Sequence, residues 1–322
     1  MKSEKKSVEC AARRRAAVVG LGLLGLEIAD RLQRHGWEVR GCDSDPQRVS
    51  CWKRRGGVAV ESVGALAGER LLLVCLPTDR EVDTVLDEWL AASGGGGDVL
   101  AEASSAVEPD VRSVSGLVVD CTTGDPETKR AFGERLGQYG IGYVEAAVGG
   151  SSRDLAEGQA ILMVGGAPAH VKRAEPLLDV LSKRWFPMGA VGQGARMKLV
   201  FNLVLGLHRA VLAEGLTLAR HSGLDVPKAL EVLRAGAAYS AVMDVKGGKM
   251  VRRDYTPAAW LSQHRKDVEL ILRQAERCGV RLPLSELHET LLRIAEELGC
   301  GASDNAAIIE VFETLRRETP PE

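Results

Sequence analysis

Two short stretches hold the residue types from which chemistry could be built. Gly20-Leu21-Gly22-Leu23-Leu24-Gly25 follows the apolar run Ala16-Ala17-Val18-Val19. Far downstream, Gly192-Gln193-Gly194-Ala195-Arg196-Met197-Lys198-Leu199-Val200-Phe201-Asn202 opens a long apolar segment. A strand entering three glycines in G-x-G-x-x-G order, and then a helix, makes a dinucleotide cradle through Leu21, Leu23, Leu24 and the glycines. Gly20 permits the tight turn, Gly22 lets backbone approach a pyrophosphate, and Gly25 lets helix and strand pack closely. The helix N-terminus draws the phosphates. In the second stretch Lys198 and Asn202 lie four apart, on one helical face. A lysine partly desolvated on an apolar helix has its pKa pulled down, which suits proton exchange with an alcohol or carbonyl near neutral pH. From spacing alone a solvated surface lysine is the simpler reading. Taken with the upstream cradle, the pair points to hydride transfer with Lys198 as acid/base and Asn202 orienting the substrate.

Asp43 lies 21 residues after Gly22, at the end of the next apolar run. A carboxylate there accepts ribose hydroxyls and repels a 2′-phosphate, which predicts NAD over NADP. The alternative is that it caps a helix near Pro46, for which Asp45 is better placed. Val74-Cys75-Leu76-Pro77-Thr78 and Asp120-Cys121-Thr122-Thr123-Gly124-Asp125-Pro126 also end strand-like runs. In an open parallel sheet such ends line the ligand crevice, so Leu76, Pro77 and Thr123 are candidate cofactor or substrate contacts; ordinary turns and caps would look the same. Val148-Gly149-Gly150-Ser151-Ser152 reads as a glycine loop whose amides form an anion nest for a substrate carboxylate, or as a plain loop.

The elements that must position these residues follow from hydrophobic patterning. Short β-rich runs at 16–19, 37–42, 58–60, 71–76, 117–120 and 141–145 alternate with helical segments at 23–34, 47–55, 80–91 and 126–139. That alternation implies a parallel sheet with right-handed crossovers. Residues 93–116 contain four consecutive glycines and then a helix-like stretch at 98–114. One long helical pattern covers 193–221, with Met197, Val200, Val204, Leu207, Val211 and Leu212 as an apolar stripe. Helices at 227–235, 258–278, 285–298 and 305–317 follow. The expected organisation is a tail at 1–14, a dinucleotide-binding domain at 15–190 and a helical domain at 191–322. The fold class is α/β: an N-terminal Rossmann domain, then an all-helical C-terminal domain joined by a long interdomain helix.

A chain of 322 residues supports two such domains. It is 45% hydrophobic and 27% charged with a net charge of −2, which argues against nucleic acid and anionic membranes as partners. Residues 2–15 are basic and 16–26 apolar, mimicking a secretory signal, but the three glycines interrupt that run and Glu27 and Asp30 follow it. No run reaches the ~18 apolar residues of a transmembrane helix. The seven cysteines form no C-x-x-C pair and the six histidines are isolated, so a reducing cytoplasm is expected and no metal site.

In this order, the motifs resemble the β-hydroxyacid dehydrogenase family, which includes 3-hydroxyisobutyrate dehydrogenase and tartronate semialdehyde reductase and, more distantly, 6-phosphogluconate dehydrogenase. The likeness covers residues 15–312. Gly20 to Gly25 match the family's fingerprint, with Leu24 where methionine is usual. Asp120 to Pro126 match its D-x-S-T-x-x-P segment. Glu145-Ala146-Ala147-Val148-Gly149-Gly150-Ser151 matches its D-A-P-V-S-G-G substrate loop, with Gly158 in register. Gly192 to Asn202 match its lysine helix, and Lys266-Asp267 its late K-D pair. The resemblance implies Lys198 as catalytic lysine, Lys266 at the cofactor, and a helical domain that mediates dimers or tetramers. Four positions depart from it. Gly149 replaces the substrate-binding serine, for which Ser151 or Ser152 is a substitute. Ala147 replaces proline, Phe201 the first asparagine after the lysine, and Ala259, beside Trp260, a pocket phenylalanine.

The reading is an NAD-dependent oxidoreductase acting between nicotinamide and a small 3-hydroxyacid or its semialdehyde. The substrate carboxylate would sit at Thr123 and the Gly149, Gly150 and Ser151 amides. An imine reductase shares the architecture but usually lacks the lysine. A non-catalytic dinucleotide-binding protein would need neither Lys198 nor Asn202.

Overall fold

The structure, a computed structural model, describes residues 14–93 and 116–315. The expected tail, but for its last residue, and the helix-like stretch at 98–114 lie outside the described residues. β1 (Arg15–Val19), β2 (Glu38–Cys42), β3 (Val58–Ala59), β4 (Leu71–Val74), β5 (Gly116–Asp120), β6 (Ile141–Gly149), β7 (Ile161–Gly166) and β8 (Arg184–Gly189) form one sheet in the order β3-β2-β1-β4-β5-β6-β7-β8. Every neighbouring pair is parallel except β6 and β7. The inner strands are apolar and buried on both faces, as parallel strands under helices must be. Strand order reverses at β1, which neighbours both β2 and β4, and ligands of such sheets sit beyond the carboxyl ends at that point.

Six helices cover the sheet: α1 (Leu23–Arg34), α2 (Pro46–Arg54), α3 (Asp79–Ala92), α4 (Pro126–Gly137), α5 (Ser152–Ala156) and α6 (Pro168–Leu181). Their starts are set by caps. Asp45 accepts from Gln47 N, Asp125 from Glu127 N and Thr128 N, and Thr78 from Arg80 N. The cap of α2 is therefore Asp45, which leaves Asp43 for another task.

The long helix α7 (Gln193–His221) leaves the sheet edge and is followed by α8 (Val226–Ala235), α9 (Gly248–Arg252), α10 (Leu261–Arg277), α11 (Pro283–Glu297) and α12 (Ile309–Thr314). The single helix expected at 305–317 is instead a 3₁₀ turn at Asn305–Ile308 running into α12. By length and composition α7 could cross a membrane. In this fold it is the central helix, packed on β6, β7 and β8 and against α10, α11 and α12.

Two parts of the sheet differ from expectation. β6 continues to Gly149, so Val148 and Gly149 belong to a strand and not to a loop. Residues 161–189, for which patterning gave no elements, form β7-α6-β8 and carry the one antiparallel pair. β8 is an exposed edge strand, and it contains Pro187, which a central strand would not tolerate.

The stripe on α7 faces the opposite way from a core stripe. Val200, Val204 and Val211 are exposed, Val211 at 67%, while Lys198, Asn202 and Arg209 are buried with Leu212.

Beneath the turn after β5 lies an ionic cluster. Lys129 Nζ lies 2.6 Å from Asp120 Oδ2 and 2.8 Å from Asp79 Oδ1. Tyr143 Oη donates to Asp120 Oδ2 at 2.7 Å, and Thr122 N to Asp120 Oδ1 at 2.7 Å. Burial opposes a charged Lys129, but the two carboxylates outweigh it and raise its pKa. This cluster fixes the segment that brings Thr122 and Thr123 to the crevice.

Candidate active site

A cavity of about 280 Å³ opens where the glycine turn, the ends of β4, β5 and β6, α7 and α10 meet. On the sheet side the glycines behave as their spacing predicted. Gly20 has φ of +92°, and a Cβ there would lie 2.2 Å from Cys75 O. A Cβ on Gly25 would lie 1.9 Å from Gly20 O. At Gly22 the space is open apart from Arg48, at 3.7 Å. Gly22 is also the N-cap of α1 and supplies no side-chain cap, so the first turn's amides remain for a ligand. Gly20, Gly22, Leu23, Leu24 and Gly25 line the cavity, a fit for a pyrophosphate against backbone. Leu21 is different: it is buried, and its amide donates to Asp43 Oδ2 at 2.6 Å. Asp43 Oδ1 accepts from Asp45 N at 2.8 Å, and Arg48 Nη1 lies 3.5 Å from Oδ2.

α10 closes the cavity by gripping both strand-end turns. Lys266 Nζ donates to Pro77 O at 2.9 Å and Thr123 O at 3.0 Å, and Gln263 Nε2 donates to Pro77 O at 3.0 Å. Thr122 Oγ1 accepts from Leu76 N at 3.0 Å, joining the two turns. Leu76, Pro77 and Thr123 line the cavity; Lys266 holds the turns from behind it. Cys75 and Cys121 also reach the wall, but burial pushes the Cys75 thiol up to about 12 and Cys121 well above its ordinary value, so neither is a nucleophile at neutral pH.

On the helical side Lys198 and Asn202 share the wall. Lys198 is 8% exposed and has no ion-pair or hydrogen-bond partner among the described residues. Its Nζ sits 5.2 Å from the Phe201 ring centroid. Burial draws its pKa down to about 8; Asp267 opposes that and Lys266 adds to it. Asn202 Nδ2 donates to Asp267 Oδ2 at 2.9 Å. This is an amine poised to exchange a proton near neutral pH.

The glycine turn after β6 is less open than expected. Gly150, at φ +137°, lines the cavity with Ser151 and Ser152, but Gly149 does not. A Cβ at Gly149 would meet Ile161 Cγ1 at 2.8 Å and Phe201 Cζ at 3.2 Å. Ile161 chiefly, with Met163 Cε and Phe201 both at 3.2 Å, fills the space that a side chain at 149 would need. Ser151 N and Oγ both donate to Asp154 Oδ2, at 2.6 and 2.7 Å, in a capping box that starts α5.

Spacing had not singled out four polar residues on the wall: Arg209, Gln263, His264 and Asn305. Arg209 carried a readable signal, since Lys198, Asn202, Leu205 and Arg209 follow an i, i+4, i+7, i+11 series on one face. Among the described residues no group of three or more His, Cys, Asp or Glu is placed to hold a metal ion.

A family model described as the NAD binding domain of 6-phosphogluconate dehydrogenase matches residues 15–189, more than half of the chain. A second, for the NAD-binding domain of NADP-dependent 3-hydroxyisobutyrate dehydrogenase, matches residues 192–312. The chain belongs to the β-hydroxyacid dehydrogenase family. It is an NAD(P)-dependent oxidoreductase acting on the CH–OH group of donors. L-threonate dehydrogenase of Cupriavidus necator is 28% identical over 302 residues, covering 93% of this chain and 96% of that one. A 3-hydroxyisobutyrate dehydrogenase from Salmonella typhimurium superposes with a TM-score of 0.81 at 24% identity, covering 93% of this chain and all of that one. An imine reductase variant from Myxococcus stipitatus, solved with NAD+, shares the fold at a TM-score of 0.55 and 18% identity, covering 93% and 99%.

Proposed function

We propose that this β-hydroxyacid dehydrogenase moves hydride between NAD and a small 3-hydroxyacid or its semialdehyde, with Lys198 as general acid and base. The observation that carries this reading is Lys198 itself, a buried and unpaired amine on the wall of the cavity that the glycine turn opens into. The nicotinamide cofactor, when bound, supplies or accepts the hydride. The amides of Leu23, Leu24 and Gly25 hold its pyrophosphate over Gly22. Leu76, Pro77 and Thr123 form the wall between the cofactor and the substrate, and Lys266 keeps two of them in place. In oxidation the neutral Lys198 amine takes the hydroxyl proton as hydride leaves the carbinol carbon and the C–O bond becomes C=O. In reduction the ammonium form returns that proton to the carbonyl oxygen. Asn202 orients the oxygen from one turn along. Gly150, Ser151 and Thr123 bound the substrate, with Gly149 behind them. Lys198 also speaks against the imine reductase reading. The test is a panel of short 3-hydroxyacids and semialdehydes followed by nicotinamide absorbance. Turnover of a hydroxyacid supports the reading; turnover confined to imines overturns it.

NAD is favoured over NADP because Arg48, the cation on this part of the cavity wall, is already paired from behind with two carboxylates, 3.5 Å from Asp43 and 3.3 Å from Asp45, which leaves it no charge to spare for a 2′-phosphate. NAD(H) is expected to bind at least tenfold tighter than NADP(H), about 1.4 kcal/mol. Fluorescence titration showing equal or tighter NADP(H) binding would mean that Arg48 governs the pocket.

The outward face of α7 supports a homodimer or homotetramer. Val200, Val204, Val211 and Leu218 are all exposed there, an apolar face that a second copy would cover. Light scattering at micromolar concentration is expected to report a dimer or tetramer, and a monomer would refute this. The free thiols Cys42, Cys51, Cys75, Cys121, Cys278 and Cys300 fit a cytoplasmic setting.

A further inference from the structure

Arg209 is 2% exposed and lies on the cavity wall, yet its Nε and Nη1 have no hydrogen-bond partner among the described residues. Burial draws its pKa down to about 10, so it remains a cation at neutral pH. A buried, unpaired guanidinium is costly, and a fold retains one where something compensates. Two carboxylates act on it by charge without bonding to it: Asp304 is committed elsewhere, and Asp267, which also lines the cavity, is committed through Oδ2 while its Oδ1 has no hydrogen-bond partner among the described residues. Asp304 accepts from Lys246 Nζ at 2.7 and 2.9 Å, from Ala258 N and from Ala306 N. Asp267 accepts from Asn202 and has Lys266 Nζ at 3.3 Å.

More unused polar groups gather in the same region. His264 Nε2, His288 Nε2 and Asn305 Oδ1 are buried without partners among the described residues, and the two imidazole centroids lie 5.2 Å apart. Burial lowers both of their pKa values, His264 well below its ordinary value and His288 to about 4, so both rings are neutral and each can donate one N–H. Gly206 makes the room: a Cβ there would lie 2.5 Å from His264 Nε2 and 2.6 Å from His288 Cε1.

The turn after β6, where the family resemblance put the substrate carboxylate, offers less than that resemblance implied. The Ser151 amide and hydroxyl are both given to Asp154 and Gly149 has no hydroxyl, which leaves Gly150 and Ser152 on the cavity wall and, among the described residues, no cation there.

We propose that Arg209, with His264 beside it, receives an anionic group of the substrate, and that this group lies remote from the reacting carbon. Eleven residues separate Lys198 from Arg209, about 16 Å of helix axis and close to three whole turns, so the two side chains face one cavity from well-separated levels. A three-carbon hydroxyacid is too short to serve both. A longer chain, with a carboxylate or phosphonate at the far end from the carbinol carbon, bridges more of that separation, the two long side chains spanning the rest across the cavity they both line. The guanidinium offers such a group a two-pronged, charge-assisted grip. This inference rests on the hydroxyacid reading above for the position of the reacting carbon, and it extends that reading from 3-hydroxyacids to 4- and 5-hydroxyacids, which the distant anion site favours.

The experiment has a kinetic arm and a binding arm. In the first, 3-hydroxypropionate, 4-hydroxybutyrate, 5-hydroxypentanoate, their methyl esters and a hydroxyalkylphosphonate are compared on wild type, Arg209→Met and Arg209→Lys. The wild type is expected to prefer the longer acids, and each acid over its ester by 100-fold or more in kcat/KM. Arg209→Met is expected to lose that preference and Arg209→Lys to keep part of it. Phosphonate turnover above that of the acids assigns the natural group to phosphonate, and the reverse to carboxylate. In the second arm glutarate, which cannot react, is titrated into the NAD-loaded proteins and thermal stability is read. Glutarate is expected to raise the Tm of the wild type and not of Arg209→Met. The unliganded Arg209→Met protein is expected to be at least as stable as wild type, because the substitution removes an unpaired buried charge. Acid-over-ester preference retained in Arg209→Met, or an equal glutarate shift in both proteins, overturns the proposal. An Arg209-dependent glutarate shift in a protein that turns over no hydroxyacid upholds the anion site and overturns the proposed hydroxyacid substrate alone.

Discussion

Replacing Lys198 with alanine is expected to lower kcat by roughly 10²–10⁴ while NAD affinity stays within about twofold, the range over which a positioned acid/base group acts. The separation follows from geometry. Lys198 lines the cavity from α7, whereas the amides proposed to hold the cofactor's phosphates belong to the first turn of α1, a separate element. Lys198→Arg is not expected to rescue, because a guanidinium does not give up its proton near neutral pH. Asn202→Ala is expected to cost less, since Asn202 orients the substrate and exchanges no proton. Steady-state kinetics on the best hydroxyacid decides the matter.

The second large effect is on stability. Lys129→Met leaves Asp120 and Asp79 facing each other in the interior without their cation. Removing one partner of a buried ionic set costs roughly 3–5 kcal/mol. A urea melt is expected to show that loss as a lower midpoint with an unchanged slope. The loss should extend to cofactor affinity, because Asp120 also holds Thr122 N and so shapes the turn that carries Thr123. An unchanged midpoint would mean that the carboxylates take up protons at no cost and that the cluster is not what orders this turn.

What could be read in the sequence, and what could not, divides along physical lines. The glycine turn was legible because Gly20 and Gly25 are required by backbone contacts that admit no Cβ, and such requirements leave a fixed spacing. Lys198 and Asn202 were legible because a four-residue interval survives on any helix. The direction in which α7 faces was not. Its apolar residues nearly encircle it, so periodicity could not tell which stripe meets the core, and the valines turned out to be outside. Arg209 escaped notice for the same reason, since its burial depends on that direction. The β7-α6-β8 unit was missed because β8 is exposed and contains Pro187, so it lacks the apolar run that marks a buried strand. The carboxyl end of β6 was read as a loop because Gly149-Gly150 looks like a turn; pairing of Gly149 with Ile161 extends the strand through it. Asp43 combines two tasks that spacing cannot separate: it holds the glycine turn through Leu21 N, and it sets the charge beside Arg48.

The most direct test of Lys198 as acid and base is the pH dependence of kcat/KM in both directions, measured on wild type and on Lys198→Ala. A buried amine with a pKa of about 8 must be neutral to accept a proton and charged to donate one. Oxidation of the hydroxyacid is therefore expected to rise as pH passes upward through about 8, and reduction of the carbonyl to fall over the same interval. Both breaks should disappear in Lys198→Ala. A wild-type profile with no break between pH 7 and 9, or a break that persists unchanged in the Lys198→Ala protein, would contradict the assignment.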